Sequence, residues 1–322
     1  MTVFYRYMST NGTLTNETLE ATDPPEEVCI TLKNSIDGTG FIGHQILTYE
    51  SGYWKADAYK ITKINADGTT GASIQISIYN VDTVCPTMAL NAAGTRLFVL
   101  GVTSSTKFVQ YYADLTEKAS VTGSGYDPLI RSIMKVDAQD IMYWIRSDLL
   151  VRATVPSTLF FLTVSLASAT CFALEHRASN RPNVWVGDAT SVYSRVYSSG
   201  AYIAGVTSTV EARYTIDIIV NKENTYVYSL SSGKVVRREV SNPDTTITYD
   251  AYKIGNIGDI STLTLDVSGN VYFCGTDLTT GLFNYYKLGS DLTGLSVYIA
   301  KVRSRINGQD WLGYNHNFVN GT

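Results

Sequence analysis

The stretch LDVSGNVYFCGT, residues 265–276, has the pattern of two β-strands joined by a tight turn. A first strand with alternating apolar residues reaches Leu265 and Val267. Ser268-Gly269-Asn270 then supplies the turn-forming residues, and Val271-Tyr272-Phe273 begins a second apolar run. Such a hairpin is common in proteins, so it predicts a fold only if it recurs along the chain at a regular spacing.

The hairpin does recur, and each copy has an anchor position at its turn. Six of the seven copies have a large apolar residue six positions before the anchor, and the copy anchored at His316 has Asp310 there. The anchors are Gly38, Gly94, Asp140, Asn180, Asn224, Gly269 and His316. A period of roughly 40–50 residues, with four short strands in each unit, is typical of a β-propeller blade. The last copy aligns WLGYNHNFVNGT with LDVSGNVYFCGT, which places His316 at the turn.

We therefore predict an all-β, seven-bladed β-propeller with four-stranded antiparallel blades, in a single domain of residues 1–322. The blades are predicted at 26–81, 82–128, 129–168, 169–213, 214–258, 259–304, and 305–322 together with 1–25. In this arrangement the N- and C-terminal strands share one blade, which closes the ring and leaves no open sheet edge at its seam.

The clearest repeat resembles the D-x-x-G-N-x-Y repeats of bacterial and extracellular propellers. The matching residues are Asp266, Gly269, Asn270, Tyr272 and Gly275. The resemblance implies the propeller fold, and a fold alone does not imply a function. The Trp-Asp dipeptide, the kelch Gly-Gly pair and the sialidase box of other propellers are missing from the sequence.

The composition argues against several classes of partner. The 322 residues include 23 Tyr, carry a net charge of −4 and are only 17% charged. Because no basic block or stripe is present, we expect no nucleic-acid partner. Residues 157–174 are uncharged, but their many Ser and Thr residues favour two strands over a membrane span. Met1 leads directly into a strand-like run with no signal-peptide pattern.

Polar residues beside the apolar positions of each first strand are expected to face a central channel. The channel-facing binding candidates are Lys33, Arg131, Lys135, Glu175 and Asp217. They bind a ligand there, or they pair with one another and with water. For a catalytic alternative, Asp217 and Glu175 are the first choice of paired carboxylates. No metal site or cofactor is expected, because Cys29, Cys85 and Cys171 occupy equivalent positions in different blades. A disulfide bond between Cys29 and Cys85 is a further alternative that the sequence does not decide.

Two further patterns concern the surface. Asn11, Asn16 and Asn320 lie in glycosylation sequons within the predicted shared blade, which hints at an extracellular or cell-surface protein. Paired tyrosines recur on third strands, as in Tyr111-Tyr112 and Tyr285-Tyr286. Tyrosine suits protein or carbohydrate contacts because it offers apolar area and a hydroxyl group. Packing between blades explains the same pattern.

These observations favour a non-enzymatic binding or assembly module that presents the loop faces of the propeller to a protein or glycan partner. One alternative is a propeller hydrolase or lyase that acts at the channel mouth. Another is a structural subunit of an extracellular filament or particle, in which the chain associates with copies of itself.

Overall fold

The computed structural model describes the backbone of most of the chain. The described residues are 2–8, 14–20, 26–33, 37, 39–50, 53–67, 69–77, 87–91, 93–102, 106–123, 134–146, 149–154, 158–162, 169–176, 182–188, 192–196, 202–207, 215–231, 233–266, 268–299, 305–306, 309–310 and 316–318.

The secondary structure is almost entirely β. The first strands are β1 Thr2–Met8, β2 Leu14–Glu20, β3 Glu26–Lys33, β4 Gly40–Glu50, β5 Tyr53–Ile64, β6 Thr70–Ser77, β7 Thr87–Leu90, β8 Arg96–Val102, β9 Thr106–Tyr112, β10 Glu117–Gly123, β11 Met134–Val136, β12 Met142–Arg146, β13 Leu149–Thr154 and β14 Thr158–Leu162. They are followed by β15 Ala169–Leu174, β16 Val184–Asp188, β17 Val192–Val196, β18 Tyr202–Thr207, β19 Thr215–Val220, β20 Tyr226–Ser231, β21 Lys234–Glu239 and β22 Thr246–Asp250. A short helix, α1 Ala251–Gly255, precedes β23 Ile257–Leu265, β24 Val271–Asp277, β25 Leu282–Leu288, β26 Ser296–Ile299, β27 Arg305–Ile306, β28 Gln309–Asp310 and β29 His316–Phe318.

The strands form a propeller-like arrangement of antiparallel sheets. Within the described residues, five sheets contain four strands each, in chain order: β7–β10, β11–β14, β15–β18, β19–β22 and β23–β26. Strands β3–β6 form a further antiparallel sheet, to which β29 adds in parallel at the free edge of β3. The first strands are neighbours around the centre, because β7 contacts β3 and β11, and β19 contacts β15 and β23. Strand β29 contacts both β23 and β3.

The predicted count of seven blades is not confirmed, and the described residues do not show the chain ends paired in one shared blade. Strands β1 and β2 pair with each other, as do β27 and β28, so they do not join into one sheet. His316 was expected at a turn, but it lies in β29 opposite Thr31. The free edge of β3 is available for pairing with another strand. The sequence around His316 lacks the alternation of apolar and polar residues that would fix a different register.

The hairpin turns explain why the anchor positions recur. Gly94, Asp140, Asn224 and Gly269 all have positive φ angles, between 55° and 78°, which only Gly, Asn and Asp adopt readily. Three positions before each anchor, an Asn or Asp side chain accepts two backbone N–H groups of the same turn. These residues are Asn91, Asp137, Asn221 and Asp266. The side chain thus replaces the missing backbone partner and fixes the turn.

In the described clusters, the apolar positions before the anchors pack against the preceding sheet. Met88 and Leu90 of β7 share a buried cluster with residues of β4 and β5, and Ile218 of β19 shares one with Trp185 of β16. Leu263 of β23 lies in a cluster with residues of β20 and β21. Burial of each such side chain contributes roughly 1.5–3 kcal/mol, so contact between neighbouring sheets is a main source of stability.

The uncharged stretch 157–174 contains two strands, β14 and β15, as the sequence predicted. No helix among the residues that the structure describes is long and apolar enough to span a bilayer.

Close packing between two sheets predicts that Gly187→Ala destabilises the protein. A Cβ atom at Gly187 would lie 2.7 Å from Cγ2 of Thr215 and 2.8 Å from Sγ of Cys171. We expect a loss of about 1–3 kcal/mol in the free energy of unfolding, measured by urea denaturation. Gly71→Ala is the matched control, because Gly71 is exposed and its added Cβ meets only the Asn65 side chain at close range. Equal losses in both variants would contradict this account.

Candidate functional site

Three neighbouring first strands bring charged and polar side chains together at the centre of the sheets. Asp217 of β19 is the best-defined member. Its Oδ1 accepts the N–H of Ile218 at 2.8 Å, and its Oδ2 accepts the N–H of Leu263 at 2.8 Å. Leu263 belongs to β23, in the next sheet, beside an irregularity where Thr262 has a φ of 52°. Asp217 therefore links two neighbouring sheets.

Lys135 of β11 is the positive member of this group. Its Nζ lies 5.9 Å from the ring centre of Phe172, a cation–π contact. Burial lowers the pKa of Lys135, and the nearby Asp217 carboxylate acts in the opposite direction. Burial likewise raises the pKa of Asp217, against the influence of Lys135 and of the two backbone N–H groups. Both side chains are only partly exposed, and burial is the largest influence on each pKa, so the surrounding protein limits their contact with water.

Cys171 of β15 lies next to this pair and is a buried free thiol. Burial and then the charge of Asp217 raise its pKa to about 12. The Thr170 hydroxyl donates to the carbonyl of Thr215 at 2.5 Å, which joins β15 to β19. Because a thiol with this pKa stays protonated at neutral pH, Cys171 is unsuited to act as a nucleophile.

Glu175 lies directly after β15 and is 3% exposed. Its carboxylate accepts hydrogen bonds from Nδ2 of Asn183 at 2.8 Å and from Nε1 of Trp185 at 3.1 Å. Both donors belong to its own sheet or the adjoining loop, so these hydrogen bonds hold the carboxylate against that sheet. The pairing of Glu175 with Asp217 stays a prediction.

The other predicted site residues are only partly covered by the structure. The backbone of Lys33 lies in β3 opposite Phe318, and that of Asn16 lies in β2 opposite Arg6. The side chains of Lys33 and Asn16 lie outside the described residues, as do Arg131, Asn11 and Asn320. Cys85 and the side chain of Cys29 also lie outside them, so the proposed bridge stays a prediction.

His176 forms a second joint between sheets, at the end that carries the repeat turns. Its backbone N–H donates to Oδ1 of Asn224 at 2.6 Å, and Nδ2 of Asn224 donates to its carbonyl at 2.6 Å. Its ring Nε2 lies 3.3 Å from the carbonyl oxygen of Val220. Burial lowers the pKa of His176 below its usual 6.5, against the effect of the contact with Val220.

This lowered pKa predicts that acid weakens the joint. In the window between the folded-state pKa and 6.5, the unfolded chain binds more protons than the folded protein, so stability falls as the pH falls. We expect wild type to lose more free energy of unfolding than His176→Gln when the pH drops from roughly 7 to 5. Parallel losses in the two proteins, followed by urea denaturation at each pH, would refute the assignment.

A cleft of about 530 Å³ opens on the face that carries the repeat turns, between the sheet β3–β6 and the sheet β7–β10. We call it the turn-face cleft. It is lined by Asp37, Lys63, Ala93, Gly94, Thr95, Tyr112, Ala113 and Asp114. All of these residues lie in hairpin turns or at strand ends on the same side of the sheets. The turn between β7 and β8 is held in place because Asn91 and Arg96 bind Asp140 of the next sheet.

Tyr112 gives the cleft an accessible aromatic surface. Its side chain is 45% exposed, whereas the preceding Tyr111 is 5% exposed and packs in the core. The ammonium of Lys118 lies 5.9 Å from the centre of the Tyr112 ring. The paired tyrosines of the sequence therefore have two roles, one in packing and one at the surface. The Tyr285-Tyr286 pair differs, because Tyr286 is buried and Tyr285 only partly exposed.

Two carboxylates and one ammonium group line the same cleft. Oδ1 of Asp37 accepts the N–H and the hydroxyl of Thr39, at 2.9 and 2.6 Å, and Oδ1 of Asp114 accepts the N–H of Thr116 at 2.9 Å. The hydrogen bonds from Thr116 lower the pKa of Asp114, and Lys63 adds a smaller effect in the same direction. Asp114 is therefore ionised at neutral pH.

The sequence interpretation did not identify Asp37, Lys63 or Asp114. A weak signal for the two carboxylates was present, because both belong to Asp-x-Thr triplets. Seven such triplets occur, at Asp37, Asp67, Asp114, Asp188, Asp244, Asp277 and Asp291. The triplet alone indicates a turn, as at Asp291, where the carboxylate binds Thr293. The cleft appears only where turns of two neighbouring sheets meet, a relation that the sequence does not contain.

The opposite face carries an apolar patch, which we define as Tyr252, Ile254 and Leu278. Their side chains are 64%, 67% and 43% exposed. Asn256 ties α1 to the turn after β24, because its carbonyl accepts the N–H of Leu278 and its Nδ2 donates to Thr279.

Within the described residues, no group of three or more His, Cys, Asp or Glu side chains is arranged to hold a metal ion. Among the described residues, the channel group and the turn-face cleft are candidate sites for ligand binding, and the apolar patch is a candidate contact surface.

Comparison with known proteins supports the fold and leaves the function open. No protein-family model matches the chain, and no curated protein matches it. Among solved structures, it resembles a functionally unknown protein from Desulfotomaculum acetoxidans, with a TM-score of 0.56 and 9% identity over 88% of this chain and 92% of the other. It also resembles a streptogramin B lyase, with a TM-score of 0.51 and 12% sequence identity. This similarity covers 79% of this chain and 92% of the lyase chain. Identities this low show a shared propeller-like fold alone.

Proposed function

We propose that this protein is a non-enzymatic binding module that takes its partner in the turn-face cleft. The cleft itself is the observation that supports this proposal. It is a shallow, open depression that combines an exposed aromatic ring with charged and hydroxyl groups from two sheets. The Asn91–Asp140 and Arg96–Asp140 contacts fix the turn between β7 and β8, which forms one wall of the cleft.

The channel group supports a second candidate function, a hydrolase or lyase acting at the channel mouth. Lys135 and Asp217 have opposite charges and lie where the surrounding protein limits contact with water, which is a setting for proton transfer. We rank this function below binding, because both carboxylate oxygens of Asp217 are occupied by backbone N–H groups and the Cys171 thiol is protonated.

The apolar patch supports the third possibility, association with copies of the chain in a filament or particle. Exposed clusters of large apolar side chains often mark contact surfaces. Tyr252 and Ile254 lie on a short helix that is held by hydrogen bonds at both ends, so the patch is fixed in place.

We also propose an extracellular or cell-surface location, with glycosylation at Asn11, Asn16 and Asn320. Enzymatic removal of N-linked glycans from the protein purified from its native source is expected to reduce its mass. An unchanged mass would contradict this location.

A seventh blade is likewise part of the proposal. Strands β1, β2, β27 and β28 lie outside the six larger sheets, and β29 lies between β23 and β3. The four strands β1, β2, β27 and β28 supply the material for one further blade at the junction of the chain ends.

Binding of matched variants to extract from the native source tests the proposed function. The extract is immobilised, and retention is compared for wild type, Tyr112→Ala, Lys135→Met and Tyr252→Ala. We expect a loss for Tyr112→Ala alone. A loss for Lys135→Met alone would favour the channel, and a loss for Tyr252→Ala alone would favour the apolar patch. Either result would overturn the proposal.

A further inference from the structure

We propose that the ligand of the turn-face cleft is a carbohydrate with no net charge. This inference rests on the proposed binding function and specifies its ligand class. It is argued from the aromatic surface, the polar groups around it and the balance of charge.

The first argument is the exposed ring of Tyr112 in an open cleft. Sugar rings carry apolar C–H faces and hydroxyl edges, so they need a flat apolar surface next to polar groups. The Tyr112 side chain, 45% exposed, offers such a surface, and its hydroxyl can also form hydrogen bonds. The small residues Ala93, Gly94 and Ala113 line the cleft with it, and the Lys118 ammonium lies 5.9 Å from the ring centre.

The second argument is the set of polar groups beside this ring. The described structure gives Oδ2 of Asp37 and of Asp114 no hydrogen bond, because each turn uses Oδ1. A carboxylate oxygen accepts hydrogen bonds from sugar hydroxyls, and the Thr95 hydroxyl and Lys63 ammonium donate to them. The cleft therefore supplies both acceptors and donors, as a polyhydroxylated ligand requires.

The third argument is the charge of the surroundings. Two carboxylates, Asp37 and Asp114, and the Lys63 ammonium line the cleft, and the Lys118 ammonium lies over the ring of Tyr112. A strongly anionic ligand such as a nucleic acid would meet the carboxylates, and a basic peptide would meet the lysines. A ligand without net charge avoids both penalties, which favours a neutral saccharide.

A glycan array probed with labelled protein tests this inference. We expect wild type to bind a set of neutral glycans and Tyr112→Ala to weaken that binding at least tenfold. Tyr112→Phe is expected to bind nearly as well as wild type, because it keeps the ring. The controls are Tyr252→Ala, an exposed tyrosine on the opposite face, and Asp291→Asn, in an Asp-x-Thr turn outside the cleft. Circular dichroism and thermal melting verify that each variant is folded.

The carbohydrate inference is overturned if no glycan binds, or if Tyr112→Ala binds glycans as wild type does. A second arm separates this failure from failure of the proposed function. Proteins of the native-source extract are immobilised before and after enzymatic removal of their glycans. Binding that survives glycan removal but is lost in Tyr112→Ala overturns the carbohydrate and keeps the turn-face cleft as a protein-binding site. If the protein binds the extract neither before nor after glycan removal, both the carbohydrate inference and the proposed binding function are overturned.

Discussion

Asp217→Ala is expected to lower the free energy of unfolding by roughly 2–4 kcal/mol, because it removes the charged acceptor of two backbone N–H groups. The substitution takes the counter-charge from Lys135 and the acceptor from the backbone N–H groups of Ile218 and Leu263. Because Leu263 lies in the next sheet, the contact between β19 and β23 is also weakened. Urea denaturation at neutral pH measures the loss.

A second substitution separates the charge from the hydrogen bonds. Adding Lys135→Met to Asp217→Ala removes the uncompensated ammonium, so we expect the double variant to recover more than about 1 kcal/mol relative to Asp217→Ala. Asp291→Ala removes an exposed turn carboxylate. We expect it to lower the free energy of unfolding by less than Asp217→Ala or the double variant does. If Asp217→Ala is as stable as Asp291→Ala, the channel pair has been misassigned.

Trp185→Ala is expected to cost about 3–5 kcal/mol, the range measured for large aromatic residues in protein cores. Trp185 is 0% exposed and packs in one cluster with Ile218 and Val220 of the neighbouring sheet. Its indole N–H also donates to Glu175, so the substitution leaves a buried carboxylate with one donor fewer. The free energy of unfolding is again the quantity to measure.

Trp185→Phe isolates the hydrogen bond from the packing. It retains most of the ring, so we expect a smaller loss, of about 1–3 kcal/mol, from the lost donor to Glu175. Adding Glu175→Gln to Trp185→Phe should reduce that loss, because the buried charge is gone. A Trp185→Ala variant as stable as Trp185→Phe would show that the sheets do not depend on this contact.

The sequence predicted the repeating part of the fold because each repeat has a local chemical cause. A residue tolerant of positive φ is required at Gly94, Asp140, Asn224 and Gly269, and each is visible as a Gly, Asn or Asp. The apolar positions six residues earlier are equally local in the sequence, and those in the described clusters lie at contacts between neighbouring sheets. Residues 157–174 were resolved into two strands for the same reason.

The chain ends and the site depended on contacts that no local pattern encodes. The parallel pairing of His316 with Thr31 joins residues from opposite ends of the chain. Glu175 has the alternation of a channel residue, yet its side chain is held by Trp185 and Asn183. The turn-face cleft likewise needs turns from two sheets to meet. Lys135 and Asp217 were identified because two charged residues on inner strands are conspicuous in a chain that is only 17% charged.

Hydrogen–deuterium exchange of the whole protein tests most directly whether a partner occupies the turn-face cleft. Exchange is compared in buffer and in the presence of soluble extract from the native source, separated into glycan and protein fractions. We predict slower exchange at residues 93–96 and 112–116, which form or adjoin the cleft, in at least one fraction. Protection confined to the inner strands β11 and β19, or to α1, would contradict the account, as would no protection at either turn.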